Sequence, residues 1–208
     1  MSTAFSTLYP QLGYRLNDVY NADGIWTLAR KKQFVNDAIA HAFTLGFYRE
    51  VIDETTTVVA SQVEYTLPAA ITQKRNVLEI TLEEGTNEPY SSITRAIGYR
   101  LINSGGGLPT AAPTVKLLLD AAFPTAAKKI RVRYKSPYPA LTSDTDVTDI
   151  PAELILVYGK YLAHAEKASL PSDADRKFHM EERNQALTEL RVLGFVPPRD
   201  EQVEGIPS

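Results

Sequence analysis

The chain has 208 residues, 44% of them hydrophobic, no cysteine and a formal net charge of −3, with a pI near 5.7. That length and apolar share suffice for one moderately large domain or two small ones with a real core. The missing thiols exclude disulfides, thiolate metal sites and a cysteine nucleophile. The mild acidity argues against a nucleic-acid-coating protein of high pI, although a local basic patch fits within the total.

The opening MSTAFSTLYPQLG lacks a basic region followed by an apolar run, and no stretch approaches the roughly 18 apolar residues of a membrane span, so a soluble protein made in the cytoplasm is expected. Leu8, Leu12, Leu16 and Val19 return to one face of a helix over Leu8 to Tyr20, with Thr7 as N-cap and Pro10 in the first turn. The NADG stretch, Asn21 to Gly24, then supplies a turn. A second helix carries Val35, Ala38, Ile39, Ala42 and Phe43 as its apolar stripe and stops at Gly46, so the two helices form a hairpin.

After Glu50 the period shortens. VIDETTTVVASQVEYTLP is β-branched, alternates near its end and stops at Pro68, which predicts two short strands. Asn76 to Glu83, Ile93 to Ile102, Pro113 to Leu119 and Lys128 to Tyr134 follow as strands, joined by EEGTNEP, NSGGGLPTAAP and AAFPTAA. Short strands with polar connections imply an antiparallel sandwich or barrel rather than parallel βαβ units. A helix then starts at Pro151 and runs through Leu154, Tyr158, Tyr161, Ala165 and Ala168. A last helix spans about Asp173 to Leu193, with Ser172 as cap, Asp175 at the capping-box position and its core side at Ala186, Leu190 and Leu193.

The predicted class is α+β: a helical bundle made by the N- and C-terminal helix pairs, with an inserted antiparallel β sandwich or barrel. The expected divisions are 1–50 as a helical hairpin, 51–140 as the β insertion, 141–194 as a loop and helix pair completing the bundle, and 195–208 as an extended tail.

Candidate chemistry is sparse. The loop SDTDVTD brings Asp144, Asp146 and Asp149 together, but it has neither the turn glycine nor the twelfth-position Glu of a calcium loop, and a solvated loop that helps start the next helix accounts for it. His41, His164 and His179 lack the three- or four-residue spacing of a shared metal face. His41 is expected to meet Asp37, and His179 to meet Asp175, as surface pairs. Gly105 to Gly107 lack the GK[ST] ending of a phosphate loop, and no GxSxG turn supports a Ser–His–Asp set. No enzyme, cofactor or metal is expected. Lys129, Arg131 and Arg133 alternate onto one strand face and form a candidate interface or channel lining, against the plainer reading of a solubilising sheet edge. In the tail, Val196, Pro197, Pro198 and Ile206 are candidate docking residues, because two prolines and several charges favour an extended segment that orders on a partner.

Four stretches in order, "FVNDAIAHAF", "QVEYTLP", "RNVLEITLE" and "IRVRYKSPYPALTSDTDVTDIPAELILVYGKYLAHAEKA", make the chain resemble the head–tail adaptor, or connector, proteins of tailed bacteriophages, including the tail-tubular type. The resemblance covers Gln33 to Ala168. It implies a helical bundle carrying a β insertion and a ring, commonly of twelve copies, beneath the portal at the DNA exit of the head. It further implies the portal protein, neighbouring copies and the next neck or tail protein as partners, with DNA passing through the channel and no sequence-specific binding. The place implied is the virion neck, reached from the host cytoplasm during assembly. The rival readings are another tail-completion or fibre-associated virion protein, and a carbohydrate-binding β module with Tyr90, Tyr99, Tyr134 and Tyr138 in a groove.

Overall fold

The computed structural model describes residues 2–18, 25–83, 90–92, 98–104, 114–123, 128–169 and 175–195. The chain divides into two units, Met1–Phe47 with Pro137–Ser208, and Tyr48–Ser136. The first is helical: α1 (Phe5–Arg15), α2 (Leu28–Ala42), α3 (Ala152–Ala168) and α4 (Arg176–Val192), with a two-stranded ribbon of β1 (Thr3–Ala4) and β9 (Val147–Thr148). The second holds β2 (Arg49–Thr57), β3 (Glu64–Thr66), β4 (Val77–Glu83), β5 (Tyr90–Ser92), β6 (Tyr99–Ser104), β7 (Thr114–Leu119) and β8 (Lys129–Ser136). The chain is thus α+β, with antiparallel sheets throughout.

The centre of the helical unit is α3. Leu154 through Tyr161 are all buried, and a helix apolar on every side belongs in the middle of a bundle, where α3 packs against α1, α2 and α4. Gly159 permits the closest approach: a Cβ there would stand 3.2 Å from both methyl groups of Leu12. Most of the expected stripe of α2 is in place, with Val35, Ala38, Ile39 and Ala42 buried alongside Phe34, while Phe43 is the C-cap and only half-buried. Gly46, in the left-handed region at φ 94°, closes the turn beyond it. Thr27 caps the start of α2 by accepting the Arg30 N–H at 3.2 Å.

Two helix starts differ from the sequence expectation. The first helix begins at Phe5, not Leu8, because Ala4 is fixed opposite Val147 and the N–H groups of Phe5 and Ser6 donate to the carbonyls of Asp146 and Asp144 at 2.9 and 3.2 Å. Pro10 therefore lies inside the helix, which ends at Arg15 with Asn17 left-handed at φ 52°. Backbone acceptors from a distant loop do the work assigned to Thr7. The last helix begins at Arg176 with Asp175 as an N-cap that makes no side-chain cap bond. Ala186 and Leu190 are buried as expected, but Leu193 is 39% exposed. Ser172 and Asp173, like the NADG turn, lie outside the described residues.

In the β unit the sheet order is β2-β8-β4-β5 in one layer and β3-β7-β6 in the other. Ile80, Leu82, Ile130, Val132 and Tyr134 from the first share one core cluster with Tyr65, Val115, Leu117 and Leu119 from the second. Each fully buried aliphatic of this set contributes about 1.5–3 kcal/mol by leaving water. The two layers form an open sandwich, not a closed barrel. The pairing of β5 with β4, at Leu82↔Ser91, adds a strand where the sequence suggested only a connection, and β6 is displaced toward Ser104 relative to the expected strand. The glycine run Gly105 to Gly107 lies outside the described residues.

Candidate interaction surface

β8 is an inner strand, hydrogen-bonded to β2 on one side and β4 on the other, so its basic residues do not line a sheet edge. Its alternation buries Ile130, Val132 and Tyr134 and turns Lys129, Arg131 and Arg133 to the opposite face. That face is not uniformly basic. Arg131 reaches Glu54 at 2.6 Å, and Arg133 reaches Glu79 at 3.2 Å and Glu50 at 3.4 Å. The backbone N–H of Lys129 donates to Glu83 at 3.2 Å. A cationic strand between two acidic ones forms a mixed-charge lattice, which the strand's own sequence hides because the carboxylates come from β2 and β4.

The acidic loop is spent on structure. Asp146 accepts the N–H groups of Thr142 and Ser143 at 2.7 and 2.8 Å, and these bonds hold its carboxyl below the usual range. Asp144 pairs with Lys32 at 2.9 Å and accepts the Tyr9 hydroxyl at 3.4 Å. Asn36 clamps Leu141 from α2, donating to its carbonyl at 3.0 Å and accepting its N–H at 2.8 Å. The loop starts α1 and ties down α2; Pro151, the cap of α3, receives no side-chain cap bond. Among the described residues no group of three or more His, Asp or Glu could hold a metal ion. A groove of about 430 Å³ runs beside the loop, lined by Pro139, Leu141, Thr145, Asp146 and Val147.

His164 and His179 are not surface groups. The Nδ1 atoms of His164 and His179 stand 3.0 Å apart, one donating to the other, with both residues buried between α3 and α4. Trp26 meets their rings edge-on at 5.5 and 5.9 Å, and the Lys160–Glu182 ion pair lies on the same two helices. Burial, then the neighbouring His179, pushes His164 down to about 4. His41 stacks flat on Tyr158 at 4.2 Å. Pairing along one helix missed these contacts; the signal that reveals them is the apolar character of α3 on all sides around His164.

Three aromatics of the glycan reading pack into the cores of their own units. Tyr134 is inside the β core, Tyr99 packs against that core, and Tyr138 packs into the helical one. The side chain of Tyr90 and the tail residues Val196, Pro197, Pro198 and Ile206 lie outside the described residues. No helix among the described residues is long and apolar enough to cross a membrane.

One protein family, described as SU10 adaptor protein, matches the sequence over residues 3–202, which takes in both units. No curated protein matches the chain.

Proposed function

The chain belongs to the SU10 adaptor protein family of phage head–tail adaptors, and from that membership we propose that it is a structural ring component of the virion neck. Copies dock beneath the portal, twelve being the number the resemblance implies, extend the channel through which DNA passes, and present a platform to the next neck or tail protein. The observation that carries the reading is the family match across nearly the whole chain. The geometry is consistent with a mechanical role: the acidic loop, the most enzyme-like stretch, has Asp144 and Asp146 committed to holding helices and backbone. Ring closure requires two different faces of each copy to meet, so that every contact is heterologous and many modest contacts add.

Lys129, Arg131 and Arg133, with their carboxylate neighbours, form one of these contact faces or part of the channel wall, and the tail from Val196 through Ile206 is a docking element. A reconstruction of the virion neck tests the assignment: a ring of this chain directly under the portal is expected, and its location in a fibre or at the tail tip overturns it. Mass measurement of the isolated protein should give mainly monomer, with the ring nucleated by the portal. A stable dodecamer at low micromolar concentration without portal would contradict that part.

A further inference from the structure

The described cations of the β unit include paired and unpaired ones. Arg131, Arg133 and Lys116 are held by glutamates, and Arg100 lies 3.8 Å from Asp120. Among the described residues Arg49, Lys74, Arg75 and Lys135 make no ion pair, and all four stand at one end of the four-stranded sheet. Arg49 lies opposite Ser136 on β8. Lys74 and Arg75 form the 3-10 turn (Lys74–Asn76) that packs on β8 just before β4 begins, at Val77 opposite Tyr134. Arg49 and the turn are therefore about two strand spacings apart, roughly 10 Å. Lys135, on β8 opposite Glu50, alternates to the other face of the sheet from Arg49 and holds its ammonium over the Tyr48 ring at 4.4 Å.

The carboxylates nearest this end, Glu50 and Glu79, are both drawn to Arg133. Counting all seven groups gives five cations and two carboxylates, a local charge of +3. Lys129, also without an ion pair among the described residues, is at the far end of β8. Like charges gathered this closely in excess of their counter-charges repel one another and favour a bound anion.

The chain supplies an anion of its own. Tyr48–Ser136 carries eleven Lys and Arg against nine Asp and Glu, or +2, whereas the remainder carries eleven against sixteen, or −5, which together give the −3 of the whole. Residues 196–208 hold Asp200, Glu201 and Glu204 against Arg199 alone, so thirteen residues carry −2 of that excess. Asp200 and Glu204 span at most about 14 Å when extended, which matches the width of the basic end. A DNA duplex would need a longer stripe, since it presents a charge about every 1.7 Å along its axis.

We propose that the basic end formed by Arg49, Lys74, Arg75 and Lys135 receives the acidic segment 196–208 of a second copy. The inference rests on the ring reading above and assigns both sides of one of its heterologous contacts. Donor and acceptor are different surfaces of the same chain, so the contact repeats from copy to copy. Each contact is weak and screened by salt, and it gains strength when the portal raises the effective concentration of neighbours.

The test uses the full-length protein and a fluorescent peptide of residues 195–208, read by anisotropy at low salt. Binding is expected to weaken at least about tenfold when Arg49, Lys74, Arg75 and Lys135 are changed to Gln, when the peptide carries Asp200→Asn, Glu201→Gln and Glu204→Gln, or when salt is raised past the screening range. Changing Lys129, at the far end of β8, to Gln should leave it intact. If the fourfold variant loses its native circular dichroism, the swap of Arg75→Glu against a peptide with Glu201→Lys replaces it, and restored binding is expected.

Carbodiimide cross-links in a mixture of light and heavy isotopic copies should join Lys74 or Lys135 of one copy to Glu201 or Glu204 of the other. Four outcomes overturn the proposal: equal binding by the neutralised partners, no binding at millimolar protein, cross-links confined to single copies, or labelled duplex DNA that binds this end and is not displaced by the peptide. Attachment to portal-bearing particles, measured separately, reports on the neck reading whatever the peptide does.

Discussion

Lys31 Nζ lies 2.8 Å from Asp18 Oδ2 and donates to the Asp18 carbonyl at 3.0 Å, with both side chains buried at the turn between α1 and α2. The same carboxylate accepts the N–H groups of Ile25 and Trp26 at 2.9 and 3.2 Å, so one acid pins the chain on both sides of residues 19–24. Burial pushes the Asp18 carboxyl up, but the bonds from Lys31, Trp26 and Ile25 outweigh it and hold it below its ordinary value.

Removing one partner of this pair strands a buried charge. Lys31→Met is expected to cost about 3–5 kcal/mol in denaturant unfolding, the usual penalty for half of a buried ion pair. Asp18→Asn should cost a similar amount, and the double variant should cost less than the sum of the two. Additive losses would show that the two side chains do not act as one unit.

Much of the fold was legible because periodicity is local. The stripe of α2 and the alternation of β8 could be read from spacing alone, and apart from Phe43 they appear where expected. Groups whose partners come from distant sequence were not legible. Glu54 and Glu79 neutralise Arg131 and Arg133 from neighbouring strands, Asp144 and Asp146 start a helix some 140 residues earlier, and His164 meets His179 across two helices. Nothing in the spacing of Asp18 and Lys31 marks a buried pair.

The histidine pair predicts acid sensitivity. With the folded value of His164 near 4 and the unfolded value near 6.5, the unfolded chain takes up the proton first as pH falls. Stability should therefore be fully present above about pH 6.5, decline through the window down to about pH 4 and level off below it, with a loss of at most about 3 kcal/mol from this group. Lys160 and Glu182 face the same site with opposite charges and temper the effect. Denaturation followed by the fluorescence of Trp26, the only tryptophan, measures the curve. His164→Gln should flatten this window; an unchanged slope would assign the acid sensitivity elsewhere.

The lattice on β8 predicts a small, salt-dependent effect. Exposed ion pairs contribute about 0–1 kcal/mol each, so changing Lys129, Arg131 and Arg133 to Gln should leave the melting temperature nearly unchanged while weakening attachment to portal-bearing particles. Glu50, Glu54 and Glu79 then lose their cations, and raising the salt should recover part of any lost stability. Loss of folding, or attachment equal to wild type at every salt concentration, would remove this face from the list of contacts.

The loop from Ser136 to Asp149 provides the sharpest contrast between a metal site and a structural brace. Asp146 is committed to two N–H groups and Asp144 to Lys32 and Tyr9, so a calcium ion would have to displace bonds already made. Millimolar calcium should leave the melting temperature unchanged. Asn36→Ala, by contrast, removes both hydrogen bonds that hold Leu141 and leaves its half-buried backbone groups unpaired, at a cost of about 2–3 kcal/mol. Asn36→Asp keeps the acceptor for the Leu141 N–H and loses the donor to its carbonyl, so it should lie between Ala and wild type. Hydrogen exchange at Leu141, Thr142 and Ser143 should accelerate in the Asn36→Ala variant while α4 stays protected. A calcium-dependent rise in stability, or a neutral Asn36→Ala, would mean that the loop serves as something other than the brace between α1 and α2.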